Sequence, residues 1–351
     1  MSQTKKYTFK EFMMTVLGGV SIAIIVGLVP NAIAGEIFKA LQDKASIFKS
    51  MLIVVNISQL AVPALVGALV SKEFNLDLIE TGVVTMITFI SSGSIKPTDK
   101  GFMIAGIGDL INSILMVSIA VFVVLKLRGK FGNLNIVLLP LLLVVILGSL
   151  GLFTLPHVSS LTGAVGMLVE KITTLQPLLM SILLSMIFAI LIISPFSTVA
   201  VALAIGLSGL GSGAANIGIC STTAVLVIGS SKVNNAGTTI AVLLGSPKMF
   251  MKNWIAHPKL NLPLVLTSAI SGVFAYIFNI QGTPASAGFG FSGLVGPINA
   301  ISFMKNGFGQ NLLVAFIAFF LVPFAASFII NKVFVDILKV YDYKVYEFRG
   351  K

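Results

Sequence analysis

Long apolar stretches separated by short polar segments run along the whole chain. The stretches Ile136–Phe153 and Leu312–Ile330 contain no charged residue. Strands of a membrane β-barrel would alternate apolar and polar residues, whereas a run of about 20 apolar residues has the length of a membrane-crossing helix. The pattern therefore predicts an all-α, polytopic integral membrane protein.

The apolar spans differ in length and continuity, so they do not all predict a full crossing. They lie at 13–34, 50–70, 78–95, 102–125, 134–156, 177–203, 205–230, 236–247, 262–281, 283–303 and 311–335. Several are too short or too interrupted to cross, which predicts about eight to ten transmembrane helices. No stretch has the composition of a soluble domain, so residues 1–351 are expected to form a single transmembrane domain.

Composition supports the membrane assignment. Hydrophobic residues make up 56% of the chain and charged residues 10%, against roughly 25% charged residues in soluble domains. The net charge is +11, but the basic residues lie between the apolar spans and at the ends. There they predict topology and contacts with anionic membrane lipid. A nucleic-acid partner would need a soluble basic face, and the pattern offers none.

The basic residues form four clusters that one threading places on the cytoplasmic side. The prediction is that both termini are cytoplasmic and that the number of crossings is even. No cleavable signal peptide is expected, since the polar N-terminal stretch is followed by an apolar span without a small-residue cleavage site. The clusters are Lys5, Lys6 and Lys10; Lys126, Arg128 and Lys130; Lys248, Lys252 and Lys259; and Lys332, Lys339, Lys344, Arg349 and Lys351.

Two apolar segments are rich in glycine and serine. Residues 205–218 read IGLSGLGSGAANIG, and residues 282–297 read GTPASAGFGFSGLVGP. Internal glycines weaken a helix, and a broken backbone is tolerated in a membrane only inside protein or beside a watery cavity. Transporters place solute sites at such breaks. Residues 205–218 fit a solute site or close helix packing through small residues, whereas residues 282–297 predict a re-entrant or hairpin element.

A few polar residues within or beside the apolar spans are candidates for binding a solute. Asp109 fits a functional intramembrane carboxylate or a favourable charge at a helix N-terminus. Asn112, one turn later, shares its face. Asn56 fits an interhelical hydrogen bond or a solute contact. His257 fits a titrating group or a cap at a loop–helix junction.

The sequence contains no recognisable catalytic or cofactor-binding motif. There is no nucleotide-binding loop, zinc spacing or nucleophile–base pair, and the one cysteine, Cys220, predicts a packing residue rather than a disulfide or metal ligand. We therefore expect no catalytic residue, no metal and no cofactor on this chain.

The two Gly-rich segments in their order carry a family resemblance. Residues 193–218 (ISPFSTVAVALAIGLSGLGSGAANIG) and 282–297 resemble the membrane-embedded EIIC component of bacterial phosphotransferase systems, and in particular the branch with perfringolysin regulator-type proteins. The resemblance implies about ten helices with hairpins, a homodimer in the bacterial cell membrane, and a sugar that a cytoplasmic IIB partner phosphorylates. Glucose-type relatives carry a glutamate in a Gly-Ile-Thr-Glu motif, whereas the comparable Gly282-Thr283-Pro284 has no acid.

Two functional hypotheses from different classes follow. The first is a transporter of a small polar solute, such as a sugar, that works by alternating access. Its predicted solute-binding residues are Asn56, Asp109, Asn112, Asn216, His257, Thr283 and Ser286. The second is an EIIC-like membrane sensor or regulator without transport, whose tail (Asp336–Lys351), with Tyr341, Tyr343 and Tyr346, would contact a cytoplasmic regulatory partner. A membrane enzyme is a third possibility, which the lack of catalytic motifs disfavours.

Overall fold

The computed structural model describes residues 7–348, except for the side chains of Glu36 and Asn133. Lys5, Lys6, Arg349 and Lys351 of the predicted cytoplasmic clusters lie outside the described residues. Within this range the chain forms helices and one two-stranded antiparallel sheet. The elements are α1 (Phe9–Leu41), α2 (Ser46–Leu60), α3 (Val62–Glu73), α4 (Leu78–Ser91), β1 (Ile95–Thr98), β2 (Gly101–Ile104), α5 (Leu110–Leu127), α6 (Asn135–Leu139), α7 (Val145–Thr173), α8 (Pro177–Ile193), α9 (Thr198–Ala204), α10 (Gly209–Ser230), α11 (Ala236–Leu244), α12 (Met251–Ala256), α13 (Asn261–Ile277), α14 (Val295–Phe303), α15 (Phe308–Phe316) and α16 (Val322–Asn331).

The all-α membrane class is confirmed. In the described part of the chain, 6 helices are long and apolar enough to cross a bilayer, and α2 with α3, bent by 52°, gives up to 7. Two shorter apolar helices are α4 and α8. α6 and α7 form one span through a wide π-helical turn at Pro140–Val144, since proline has no N–H for a regular helical bond.

Several predicted spans have different boundaries. Span 102–125 is wrong at its start, because residues up to Ile104 belong to a hairpin. Gly106 and Gly108, which follow it, have positive φ, and α5 begins only after Asp109. Span 134–156 is too short, since the helix continues through Pro156 to Thr173. Span 177–203 breaks after Ile193, where Pro195 prevents further helix. Only the end of span 283–303 is an α-helix, α14.

The chain divides into two compact units. Unit 1 contains described residues 7–28 and 53–161, and unit 2 contains residues 29–52 and 162–348. In unit 1, α3, α4 and α5 pack together, and buried Glu80 of α4 pairs with Arg128 at the end of α5. Glu80 also completes a capping box with Asp77 at the start of α4.

Unit 2 is built around α10, which packs against α8 and α13. Glycines allow these helices to approach closely. A side chain at Gly218 would collide with the carbonyl of Ser185 on α8, and one at Gly272 would collide with the backbone of Ile182 and Ser181. Small-residue packing, one of the two interpretations of residues 205–218, is therefore present along α10.

The C-terminal segment packs into unit 2. Tyr346 is fully buried against Gly229 of α10, and its hydroxyl donates to Oδ1 of Asn331 over 2.7 Å. The hydroxyl of buried Tyr341 donates to the same oxygen over 3.1 Å. Of the three tail tyrosines, Tyr343 alone remains half exposed.

Candidate functional site

Residues 282–294 contain no α-helix and end in a short 3-10 turn, Ser292–Leu294; this part of unit 2 is named the Gly-rich segment. It follows α13 and leads into α14. Gly288, Gly290 and Gly293 have φ of 92°, 58° and 60°, a region that glycine enters without steric cost. The same glycines that weaken a helix therefore produce this irregular backbone.

The backbone of the Gly-rich segment pairs with the start of α10. The N–H of Gly209 donates to the carbonyl of Gly282 over 2.8 Å, and the N–H of Gly282 donates back to Gly209 over 3.0 Å. The hydroxyl of Ser212 donates to the carbonyl of Thr283 over 2.9 Å. These bonds satisfy backbone groups that a helix would have paired internally. The two Gly-rich sequences, 205–218 and 282–297, thus meet in space.

Asn216 anchors the middle of the segment from α10. Its Oδ1 accepts the N–H groups of Phe289 (3.2 Å) and Gly290 (3.0 Å), and its side chain is 1% exposed. The amide nitrogen donates to no acceptor among the described residues. Asn216 therefore fixes the backbone with its oxygen and keeps two N–H donors for another acceptor.

A second polar cluster forms where the segment begins. Oδ1 of Asn299, on α14, accepts the N–H of Thr283 (3.1 Å) and the hydroxyl of buried Ser286 (2.7 Å). Oγ1 of Thr283 accepts the N–H of Ser286 over 3.2 Å. The amide nitrogen of Asn299 and the hydroxyl proton of Thr283 have no acceptor among the described residues. These are uncharged donors of the kind that bind solute hydroxyls.

Two loops border the Gly-rich segment. The hydroxyl of Thr198, at the start of α9, donates to the carbonyl of Gly288 over 2.8 Å. The hydroxyl of Ser292 donates to the carbonyl of Gly245, after α11, over 2.9 Å. The segment is thus bonded to α10, to the start of α9 and to the loop after α11, all within unit 2.

The other predicted site residues lie elsewhere. Asp109 caps α5, its carboxylate accepting the N–H of Asn112 over 2.9 Å, which is the alternative of a charge at a helix start. Asn112 is buried and donates to the carbonyls of Ser91 and Gly151, while its oxygen accepts from Thr154. It joins three elements of unit 1, so its polar atoms are already used.

Asn56 and His257 also lie outside the cluster. Asn56 is exposed on the surface of α2 in unit 1, and His257 is exposed at the end of α12 in unit 2. Of the seven predicted residues, three lie in or against the Gly-rich segment: Thr283 and Ser286 belong to it and bond to each other, and Asn216 bonds to its backbone.

A comparison with protein families identifies the family of this helical membrane protein. The family described as Phosphotransferase system, EIIC, matches residues 14–348. The chain belongs to this EIIC family. No curated protein and no solved structure matches it. Family membership gives this EIIC protein a general role as a membrane permease component of a phosphotransferase system.

Sequence patterns did not single out three buried or partly buried polar residues in or near this candidate site of the EIIC protein. Ser212 and Asn299 lie within apolar spans and contact the segment only through the tertiary fold. Lys248 was interpreted as a cytoplasmic topology signal, yet it is 9% exposed. Ser212 and Asn299 could have been recognised from the sequence as candidates, because each is a polar residue inside an otherwise apolar span. Lys248 did not stand out, because it shares a basic cluster with Lys252 and Lys259.

Proposed function

We propose that this EIIC protein is a permease for an uncharged, polyhydroxylated solute of the sugar class. The observation that carries the proposal is the set of unused donors around the Gly-rich segment, on Asn216, Thr283 and Asn299. The segment itself contains no charged residue. A site of amide and hydroxyl donors favours neutral hydroxyls over a sugar acid, because an anion would be buried there without a paired charge.

The permease would work by alternating access, and the broken backbone supports this part of the proposal. Transporter sites occur where helices are interrupted near the membrane centre. The Gly-rich segment and the break between α8 and α9 provide two interruptions in unit 2. A cytoplasmic IIB-type protein is the proposed phosphorylating partner, in line with the family. A homodimer in the bacterial cell membrane, in contact with lipid and with both termini in the cytoplasm, completes the proposal.

The test begins with thermal unfolding of the purified protein in the presence of sugars, sugar alcohols and sugar acids. A ligand at about 100 times its Kd stabilises the native state by about 2.7 kcal/mol, so a saturable rise in Tm identifies the class. A rise with a neutral sugar or polyol is expected. A response to sugar acids alone would contradict the uncharged site.

Variants then locate the site. Asn299→Ala and Thr283→Ala are expected to weaken sugar binding about tenfold each, the value of one hydrogen bond of about 1.4 kcal/mol. Asn56→Ala, an exposed amide in unit 1, is the matched control and should bind normally. Binding by a protein that shows no uptake in vesicles with its phosphorylating partner would favour the sensor or regulator.

A further inference from the structure

A lysine is buried where α8 ends. Lys248 belongs to a short 3-10 turn, Pro247–Phe250. Its ammonium nitrogen lies 2.6 Å from the carbonyl oxygens of Ser194 and Phe196 and 3.5 Å from that of Leu191. All three acceptors are backbone groups more than 50 positions earlier in the chain. Lys248 therefore makes a tertiary contact with the α8–α9 loop.

The local sequence explains why these carbonyls are available. Pro195 follows Ser194, whose backbone is extended, so the helix cannot continue. The last carbonyls of a helix lack intrahelical donors and carry the negative end of its dipole. An ammonium group offers three donors and a positive charge, so it suits the carbonyls of Leu191 and Ser194 at this helix end and that of Phe196 in the loop just beyond it.

A buried cation is costly unless every donor is used. No carboxylate pairs with Lys248 among the described side chains. The hydrogen bonds to the loop carbonyls therefore have to offset the free energy lost when the ammonium group leaves water. An apolar side chain would fill the same space without that cost. The position of the ammonium group thus points to a role in holding the loop rather than in packing alone.

Residues directly beside the loop and the turn that Lys248 joins contact the Gly-rich segment. Thr198, the first residue of α9 directly after the α8–α9 loop, donates to Gly288. From the other side, Ser292 donates to Gly245, three residues before Lys248. The side chain of Lys248 bonds the turn after Gly245 directly to the α8–α9 loop before Thr198.

We propose that Lys248 is a positioning residue of the solute site: it joins residues 194–198 to residues 245–250 and thereby fixes the Gly-rich segment that both contact. It acts through backbone carbonyls and does not itself touch the solute. The inference rests on the proposed function in one respect, namely that the Gly-rich segment binds the solute. The effect of Lys248 on the backbone of the segment can be measured without any solute.

The first measurement is backbone hydrogen exchange in Lys248→Met, Lys248→Arg and wild type, with Lys232→Met as the control for an exposed lysine of unit 2. In Lys248→Met, protection of residues 194–198 and 282–294 should fall at least tenfold, while α10 keeps its protection. Lys248→Arg, which keeps a cation and several donors, should recover most of it. If Lys248→Met does not fold, Lys248→Gln, which is too short to reach both carbonyls, takes its place.

Unchanged protection in both segments, or an equal loss throughout unit 2, overturns the proposal. The second measurement is the KM and kcat of sugar uptake. Lys248→Met should raise KM at least fivefold with a smaller change in kcat, and Lys248→Arg should restore it. If wild type binds no sugar, the proposed function fails, while the exchange measurement still decides the role of Lys248.

Discussion

At the scale of single residues, polar groups buried in this protein mostly serve to satisfy backbone atoms. Asn112 and Asn216 are both asparagines within apolar spans, and sequence alone assigned both to one solute site. Both the side-chain oxygen and the side-chain nitrogen of Asn112 form hydrogen bonds within unit 1, whereas only the oxygen of Asn216 forms hydrogen bonds. The distinction depends on which carbonyls and N–H groups the fold brings near, and periodicity does not contain that information.

The first prediction concerns Asn112. Asn112→Ala leaves the carbonyls of Ser91 and Gly151 without their side-chain donor, so we expect a loss of about 1–3 kcal/mol in the free energy of unfolding. Sugar affinity should not change. Thermal unfolding and binding assays measure both quantities, with exposed Asn56→Ala as the control. If Asn112→Ala has normal stability but binds sugar more weakly, Asn112 belongs to the solute site, as the sequence predicted.

The second prediction concerns pH. Burial lowers the pKa of Lys248 from 10.5 to about 7, and no charged group of the described chain adds to this shift. Between these values the unfolded chain binds a proton that the folded protein does not. Stability from this group should therefore rise from pH 7 toward pH 10.5, by at most about 1.4 kcal/mol per pH unit, and stay level below pH 7.

The measurement is the Tm of wild type minus that of Lys248→Met, recorded from pH 6 to pH 9.5. Taking the difference cancels the titration of groups that both proteins share. A Tm difference that grows above pH 7 supports the lowered pKa of buried Lys248. A difference that stays flat over this range would contradict the prediction, because it would show that folding leaves the pKa of Lys248 unchanged.

At the scale of elements, glycine decides where helices stop and how closely they pack. The sequence predicted the break at 282–297, because glycines and prolines in an apolar span disfavour a helix. It also left two interpretations open for 205–218; the structure contains the close packing through small residues, and the solute site stays a prediction. Gly218 packs against α8, while Gly209 pairs with the Gly-rich segment. The partner of each glycine was not predictable, since it depends on elements about 30 to 70 residues away.

The third prediction tests the backbone of the segment. Gly290 has φ of 58°, and a side chain there would collide with Ile219. Gly290→Ala should cost about 1–3 kcal/mol and abolish high-affinity sugar binding. Gly309→Ala, in α15 with open space around it, is the control and should be neutral or stabilising. Normal sugar affinity in Gly290→Ala would show that the backbone of the segment does not form the solute site.

At the scale of the whole molecule, composition and apolar runs were sufficient for the membrane class, whereas the division into two units was not visible in them. The boundaries between the units fall inside α1, α2 and α7, so no loop or change of composition marks them. The C-terminal tail shows the same limit. Its charges and tyrosines indicated a free contact segment, yet two of the tyrosines belong to the core of unit 2.

The last prediction follows from that tail and bears on the regulator hypothesis. Tyr346→Ala opens a cavity beside Gly229 and leaves Asn331 with one tyrosine donor, so we expect a loss of about 3–5 kcal/mol in stability. Tyr343→Ala removes a half-exposed ring and should cost much less. Hydrogen exchange should increase in α10 and α16 with Tyr346→Ala and stay unchanged in α4 and α5 of unit 1. If Tyr346→Ala instead leaves stability intact and disrupts only a response to a cytoplasmic partner, the tail is a contact segment and the regulator gains the support that it lacks in this structure.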